Sequence, residues 1–270
     1  MKDILVCYVE GEKFLANIDC DIFMNSLKKF KTFDKLCIVR NINDDSRENL
    51  KKYFDFVVDP IHPIMIPNND RFMSYYEWLV QHKDEYEYVF HVDFRDVIVQ
   101  RDPFEYMKQF PDKNLFLTTE GMKISENECN TFWAAGINKL LQYHHVNYSD
   151  NWIVNSGTIG GKLDSFLWLC LMFFTNTNRK ANHVVFEQPI LNWISTYVLM
   201  NPSVKLCHPY VSPFIVTGEG VKYGHVDVKF DGKKVTDLKD EPYYIVHQWD
   251  RINQAEDIRN NFKNKISFKI

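Results

Sequence analysis

Along the first half of the chain, short β-branched apolar runs alternate with amphipathic stretches, the pattern of strands joined by helices. Ile4–Val9, Leu36–Val39, Phe56–Val58, Tyr88–Val92 and Leu115–Thr118 read as buried strands. Asp21–Phe30, Asp45–Phe54 and Asp70–Lys83 read as helices between them. In the last of these Phe72, Tyr75, Tyr76, Leu79 and Val80 recur at helical spacing. Strands separated by helices require right-handed crossovers, so the expected core is an α/β arrangement around a mostly parallel sheet.

The second half is less periodic. Residues 120–150 read as irregular and contain Trp133, His144 and His145. The run WIVNSGTIGG (152–161) reads as a strand, followed by helices at Leu163–Phe174 and Glu187–Leu199. VDVKFDGKKV (226–235) reads as a hairpin turning at Asp231–Gly232, and YYIVH (243–247) as a last strand entering QWDR and a polar tail. With no internal repeat and no low-complexity linker, one domain over residues 1–270 is the simplest organisation.

Three charged positions interrupt this pattern most sharply. In YVFHVDFRDVIVQRDPF (88–104), Asp93, Arg95 and Asp96 stand between the apolar runs ending at Val92 and beginning at Val97. Ligands of parallel sheets sit beyond the carboxyl ends of the strands, where these residues fall. On a straight strand, residues three apart face opposite sides, ~10 Å from one another. Asp93 and Asp96 can therefore share one cation only if the chain bends at Phe94–Arg95. The competing reading is a loop in which Arg95 pairs with either aspartate.

Composition removes several alternatives. Hydrophobic residues make up 45% and aromatics 15% of the 270, enough for a sizeable core, which argues against disorder. The 32 basic and 36 acidic residues, with no basic block, argue against a nucleic-acid surface. The first apolar run is too short for a signal-peptide core, and no run reaches the ~18 residues of a membrane span. FLWLCLMFF (166–174) reads as a core helix. Six scattered cysteines without a CxxC pair fit a reduced, soluble, cytoplasmic protein and make structural zinc improbable.

Taken in order, HVDFRDVIVQRDPF, NSGTIGG, FEQPILNWI and VHQWDR resemble the motifs of GT-A-fold glycosyltransferases, over roughly residues 4–251. The family pattern is usually Asp-x-Asp; here Asp93-Phe94-Arg95-Asp96 is one residue longer. The resemblance implies a GT-A-like, Rossmann-like sheet flanked by helices, with a small antiparallel or irregular acceptor-side part. It divides the chain into a nucleotide-binding half (about 1–119) and an acceptor-binding half (about 120–270). The implied activity is transfer of a hexosyl or pentosyl group from a UDP- or GDP-linked sugar to a hydroxyl of a glycan or protein-linked glycan.

By the same resemblance Mn²⁺ or Mg²⁺ is the cofactor, held by Asp93, Asp96 and His247. Tyr8, Glu10, Arg71, Asp93 and Arg95 would face the nucleotide, and Asn155, Ser156, Gly157, Glu187 and Gln188 the donor and acceptor sugars. Glu187 and Asp96 are the candidate catalytic groups, and Asp250 and Arg251 would close over the diphosphate. Each position also has a structural reading: a strand-end histidine for His247, a turn for Asn155–Gly157, a helix cap for Glu187, a solvated helix face for Arg71. Trp133, His144 and His145 are candidates for an acceptor cleft. A catalytically silent carbohydrate-binding relative and a Mg²⁺-dependent nucleotidyltransferase are the rival functions. The second is disfavoured because YVEGEKFLAN lacks a Gly-rich basic loop.

Overall fold

The computed structural model describes residues 1–63, 66–141, 149–176, 187–198 and 201–266. Its strands are β1 (Lys2–Glu10), β2 (Asp34–Arg40), β3 (Phe56–Val58), β4 (Tyr86–Val92), β5 (Val97–Val99), β6 (Leu115–Lys123), β7 (Trp152–Lys162), β8 (Val204–Cys207), β9 (Phe214–Val216), β10 (Lys229–Phe230), β11 (Val235–Thr236) and β12 (Ile245–His247). Seven of them form the central sheet, in the order β3-β2-β1-β4-β7-β6-β8. β7 pairs antiparallel with both neighbours, and every other pairing in the sheet is parallel.

Alternation along β1 shows why this sheet needs helices on both faces. Leu5, Cys7 and Val9 enter one core with Cys20, Phe23 and Leu27 from helix Ile18–Leu27. Ile4, Val6 and Tyr8 enter the other, with Phe72, Tyr75 and Leu79 from helix Pro67–Gln81 and Phe166 from helix Leu163–Asn176. A strand buried on both faces reads as a continuous apolar run.

The predicted helices are present with shifted starts, because their caps lie upstream of the acidic residues that marked them. Asn17 Oδ1 accepts from Asp19 N–H at 2.9 Å, so the first helix runs Ile18–Leu27 rather than 21–30. Asn43 caps Asp44–Leu50 in the same way, and Pro67 opens Pro67–Gln81. In Leu163–Asn176 the expected core face is there, with Phe166, Leu169, Cys170 and Phe173 buried, but Trp168 and Leu171 are exposed.

Three expectations for the second half need correction. Residues 120–150 are not irregular where described: β6 runs on to Lys123, and Glu128–Leu141 is a helix that carries Trp133. His144 and His145 lie outside the described residues. The segment after His247 is not merely a polar tail either, since Ala255–Ile266 is a helix with Ile258 fully buried. A second sheet, β5-β12-β9, was not foreseen; β12 is its middle strand, antiparallel to β5 and parallel to β9. The expected hairpin is present as β10–β11, with Gly232 at φ 85° in its loop, where a side chain would be strained.

Candidate active site

The bend at the charged junction is built from the two sheets. β4 ends at Val92 in the central sheet and β5 begins at Val97 in the other, so residues 93–96 turn between them. Phe94 anchors the turn. Its ring is 2% exposed, edge-on to Phe23 at 5.3 Å and stacked with Phe54 at 6.0 Å. With Phe94 drawn into the core, the aspartates on either side converge. Two backbone bonds fix them: Asp93 N–H to Gly157 O at 3.0 Å, and Gln248 N–H to Asp96 O at 2.7 Å.

His247 arrives from the end of β12, opposite Val97 of β5. Its Nε2 lies 3.2 Å from Asp93 Oδ2 and 3.5 Å from Asp96 Oδ1, and one donor atom from each of the three residues lies within 4.8 Å of the others. Nδ1 is 3.1 Å from Thr158 Oγ1, which holds the ring while Nε2 keeps no well-aligned hydrogen-bond partner. An imidazole nitrogen aimed between two carboxylate oxygens, its other nitrogen held by a hydroxyl, is a donor set that fits a divalent cation. Burial works to lower the basicity of His247; Asp96 and Asp93 outweigh it and push its pKa up to about 9. Burial likewise raises both aspartates, but Arg71 and His247 hold Asp93 well below the usual carboxylate range, and His247 lowers Asp96.

Gly157 makes this convergence possible. A Cβ there would collide with Asp93 Oδ2 and His247 Cε1. The glycine of NSGTIGG therefore allows the close packing of Asp93 and His247.

Arg71 joins the cluster to the neighbouring strand and helix. Buried at 7% exposure, it donates closely to Asp93, reaches Ser156 O at 3.3 Å and lies 3.7 Å from Glu187 Oε1. It is not on a solvated helix face. Glu187 is also buried, at the first turn of helix Glu187–Val198, and takes a 2.9 Å bond from Asn68 Nδ2. Burial pushes its carboxyl up, against the pull of Arg71 and Asn68, and its Oε2 has no hydrogen-bond partner among the described residues. His91 Nε2 donates to Ser156 O at 3.1 Å, and burial, assisted by Arg71, depresses that imidazole to about 3.

Beside the cluster lies a cavity of about 420 Å³. Tyr8, Glu10, Arg71, Asp93, Arg95 and Asp96 all line it, as does Arg251 from the segment after β12. Arg95 does pair with Asp96, at 3.2 Å, and with Asp250, at 3.4 Å, yet it remains 31% exposed at the cavity wall. The bend that brings Asp93 and Asp96 together and the pairing of Arg95 with Asp96 are thus both present. Phe14, Asn68 and Gln248 also line it and were not singled out from sequence.

Asn155, Ser156 and Gln188 belong to an adjoining buried network rather than to that cavity's lining. Gln188 Oε1 is 3.3 Å from both Ser156 N and Oγ, and its Nε2 donates to Glu120 Oε1 at 2.9 Å. Asn155 Nδ2 donates to the same oxygen at 2.9 Å. Glu120, 3% exposed, escaped the sequence reading because it follows an apolar run as an apparent strand end. A carboxylate directly after a buried strand was the available signal.

This architecture is a GT-A-like glycosyltransferase fold. Among solved structures the chain is similar to LgtC, a glycosyltransferase, in the crystal form of an active-site mutant with glutamate in place of glutamine. The match has a TM-score of 0.55 and covers 97% of this chain and 95% of LgtC. Sequence identity is 14%, so the likeness is one of fold. No protein-family model and no curated protein matches the chain by sequence. Among the described residues no helix is long and apolar enough to cross a membrane, and all six cysteines are free.

Proposed function

We propose that the protein is a divalent-metal-dependent glycosyltransferase that moves a hexosyl or pentosyl group from a UDP- or GDP-linked sugar to a glycan hydroxyl. One observation carries this reading: the donor atoms of Asp93, Asp96 and His247 converge beside a cavity of about 420 Å³ that the two aspartates line, on a GT-A-like fold. Two carboxylates and one imidazole suit Mn²⁺, with Mg²⁺ as the harder alternative. When bound, such an ion offsets the charge of the diphosphate leaving group.

The chain's own residues supply the rest. Tyr8 and Glu10 receive the nucleoside at the end of β1, and Arg71 and Arg95 flank the phosphates. Arg251, which lines the cavity from the segment after β12, closes over the diphosphate, and Asp250 steadies Arg95 beside it. Glu187 Oε2, buried and without a partner among the described residues, accepts a hydrogen bond from a sugar hydroxyl. Gln188, Asn155 and Ser156 border the donor and acceptor sugars, with Glu120 fixing the orientation of the Gln188 amide. In the reaction the bond from the anomeric carbon to the diphosphate breaks, a bond to the acceptor oxygen forms, and the acceptor hydroxyl loses its proton. Residues 1–119 supply most of the nucleotide site and 120–270 the acceptor side, with His247 crossing from the second half to the metal. A cytoplasmic location agrees with the free, mostly buried cysteines.

A thermal-shift panel of UDP- and GDP-sugars, with and without Mn²⁺, identifies the donor class, because a ligand that binds only the native state raises its stability. Turnover is then read as Mn²⁺-dependent release of nucleoside diphosphate, absent in Asp96→Asn. Stabilisation without release would favour the silent relative. Pyrophosphate formed from a nucleoside triphosphate and a sugar phosphate would favour the nucleotidyltransferase.

A further inference from the structure

A second cavity, of about 720 Å³, lies between the N-terminal half of helix Leu163–Asn176 and the C-terminal half of helix Glu187–Val198. It abuts Leu115 and Val204, the first residues of β6 and β8. Glu120 and Glu187 belong to the opposite ends of β6 and of the second helix, so this groove faces away from the metal cluster.

Three aromatic rings, Trp168, Trp193 and Tyr197, line it among aliphatic side chains. Trp168 and Met172 come from one helix, Trp193 and Tyr197 from the other, each pair four residues apart. The Trp193 and Tyr197 rings meet at 5.2 Å and 67°. Trp168 is 43% and Tyr197 49% exposed, large apolar areas to leave in water. The rim is polar, formed by Asn114, Asp164, Asn201 and Ser203.

Charge narrows the occupant. No lysine, arginine or histidine is among the described lining residues, so a phosphate, a nucleotide or an acidic headgroup finds no counter-charge. A hydrocarbon ligand would cover amides and hydroxyls without pairing them, at a cost for each group. A sugar ring avoids both penalties: its flat C–H face packs on an aromatic ring while its hydroxyls reach the rim. The volume falls within the range of small-ligand pockets.

We propose that this groove is a second carbohydrate-binding site, taking a neutral oligosaccharide independently of the metal cluster. The inference stands whether or not the first site turns over a nucleotide sugar. It is tested on the full chain by tryptophan fluorescence and calorimetry with maltotriose, cellotriose and lactose as probes. At least one should give saturable binding with a Kd on the order of 10⁻⁴–10⁻³ M. Trp168→Ala and Tyr197→Ala, both at exposed positions that leave the core intact, should each weaken it about tenfold or more. Asp96→Asn and chelation with EDTA should leave it unchanged. Failure of all three sugars to saturate by about 20 mM overturns the proposal. Binding lost in Asp96→Asn but kept in Trp168→Ala also overturns it, placing the sugar in the first cavity. A dimer dissolved by Trp168→Ala would do the same, assigning the groove to a second copy of the chain.

Discussion

Gly157 and Asp93 are packed so closely that the glycine cannot carry a side chain: a Cβ would collide with the Asp93 carboxylate and with the His247 ring beside it. Backbone and side chain are tied at the same place, since Asp93 N–H donates to Gly157 O at 3.0 Å. Gly157→Ala should therefore spread the candidate ligands while leaving both flanking cores untouched. A loss in Mn²⁺ affinity of about 10–100-fold is expected, the range for residues that orient ligands. Titration by calorimetry or electron paramagnetic resonance measures it. Wild-type affinity in a folded Gly157→Ala variant would refute this role.

Asp93 and Asp96 should differ when each is replaced by alanine. Both substitutions should abolish metal-dependent turnover. Asp93→Ala, however, also removes the main partner of Arg71, a guanidinium at 7% exposure, leaving Glu187 at 3.7 Å as its carboxylate partner among the described residues. A buried charge stripped of a hydrogen-bonded partner costs roughly 1–3 kcal/mol or more. Asp96→Ala leaves Arg95 paired with Asp250 and 31% exposed to solvent. Urea unfolding in EDTA should therefore rank Asp93→Ala as clearly the less stable variant. Equal stability would mean that Arg71 is neutralised elsewhere.

The sequence made the central sheet and most of this cluster legible because both follow local rules. Runs such as Ile4–Val9 and Tyr88–Val92 announce strands buried on two faces, and charges directly after such a run mark a sheet's ligand end. The β5-β12-β9 sheet was not legible, since Val97–Val99 and Phe214–Val216 are three-residue strands with no period to detect. Helix Glu128–Leu141 hid for another reason: Phe132 is 77% exposed and Gly136 interrupts the stretch, so its apolar residues do not mark one face. The purpose of Gly157 depends on side chains from two distant strands, which no local pattern records. The extra residue between Asp93 and Asp96 became intelligible only once Phe94 was seen to be buried.

Metal-free stability should peak near pH 6.5. His91 has a folded pKa depressed to about 3 against an unfolded value near 6.5, so its contribution is lost as pH falls through that window. The lowered Asp93 and Asp96 act in the same direction at still lower pH. His247 is raised to about 9, so its contribution is complete below pH 6.5 and is lost as pH rises through 9. Metal coordination needs the neutral imidazole, so the stabilisation given by Mn²⁺ should grow over the same alkaline window. Urea unfolding from pH 5 to 9.5, with EDTA and with Mn²⁺, measures both limbs. A metal-free stability that rises steadily from pH 5 to 9 would show that the carboxylates do not hold His247 as a cation.

The segment after β12 should be ordered before any ligand binds, contrary to what a polar tail suggests. Trp249 is fully buried, Ile252 and Ala255 are 4% and 7% exposed, and Ile258 is fully buried, all in one cluster with Val246 and Ile215 of the second sheet. From helix Ala255–Ile266, Arg259 reaches back to Asp19 with bonds of 2.9 and 3.1 Å, and its guanidinium lies 5.3 Å from the centre of the Trp249 ring. Burial and pairing of this kind place local opening well up the stability scale. Amides from Trp249 to Ile258 should accordingly exchange slowly in the ligand-free chain, and nucleoside diphosphate with Mn²⁺ should add protection mainly around Gln248, Asp250 and Arg251. Arg259→Ala removes the anchor without touching the cavity. It should speed exchange across 249–258 and, because Gln248 N–H holds Asp96 O at 2.7 Å, weaken Mn²⁺ binding at the same time. Fast exchange of the whole segment in the ligand-free protein would show that ligand, not Trp249 and Arg259, holds it in place.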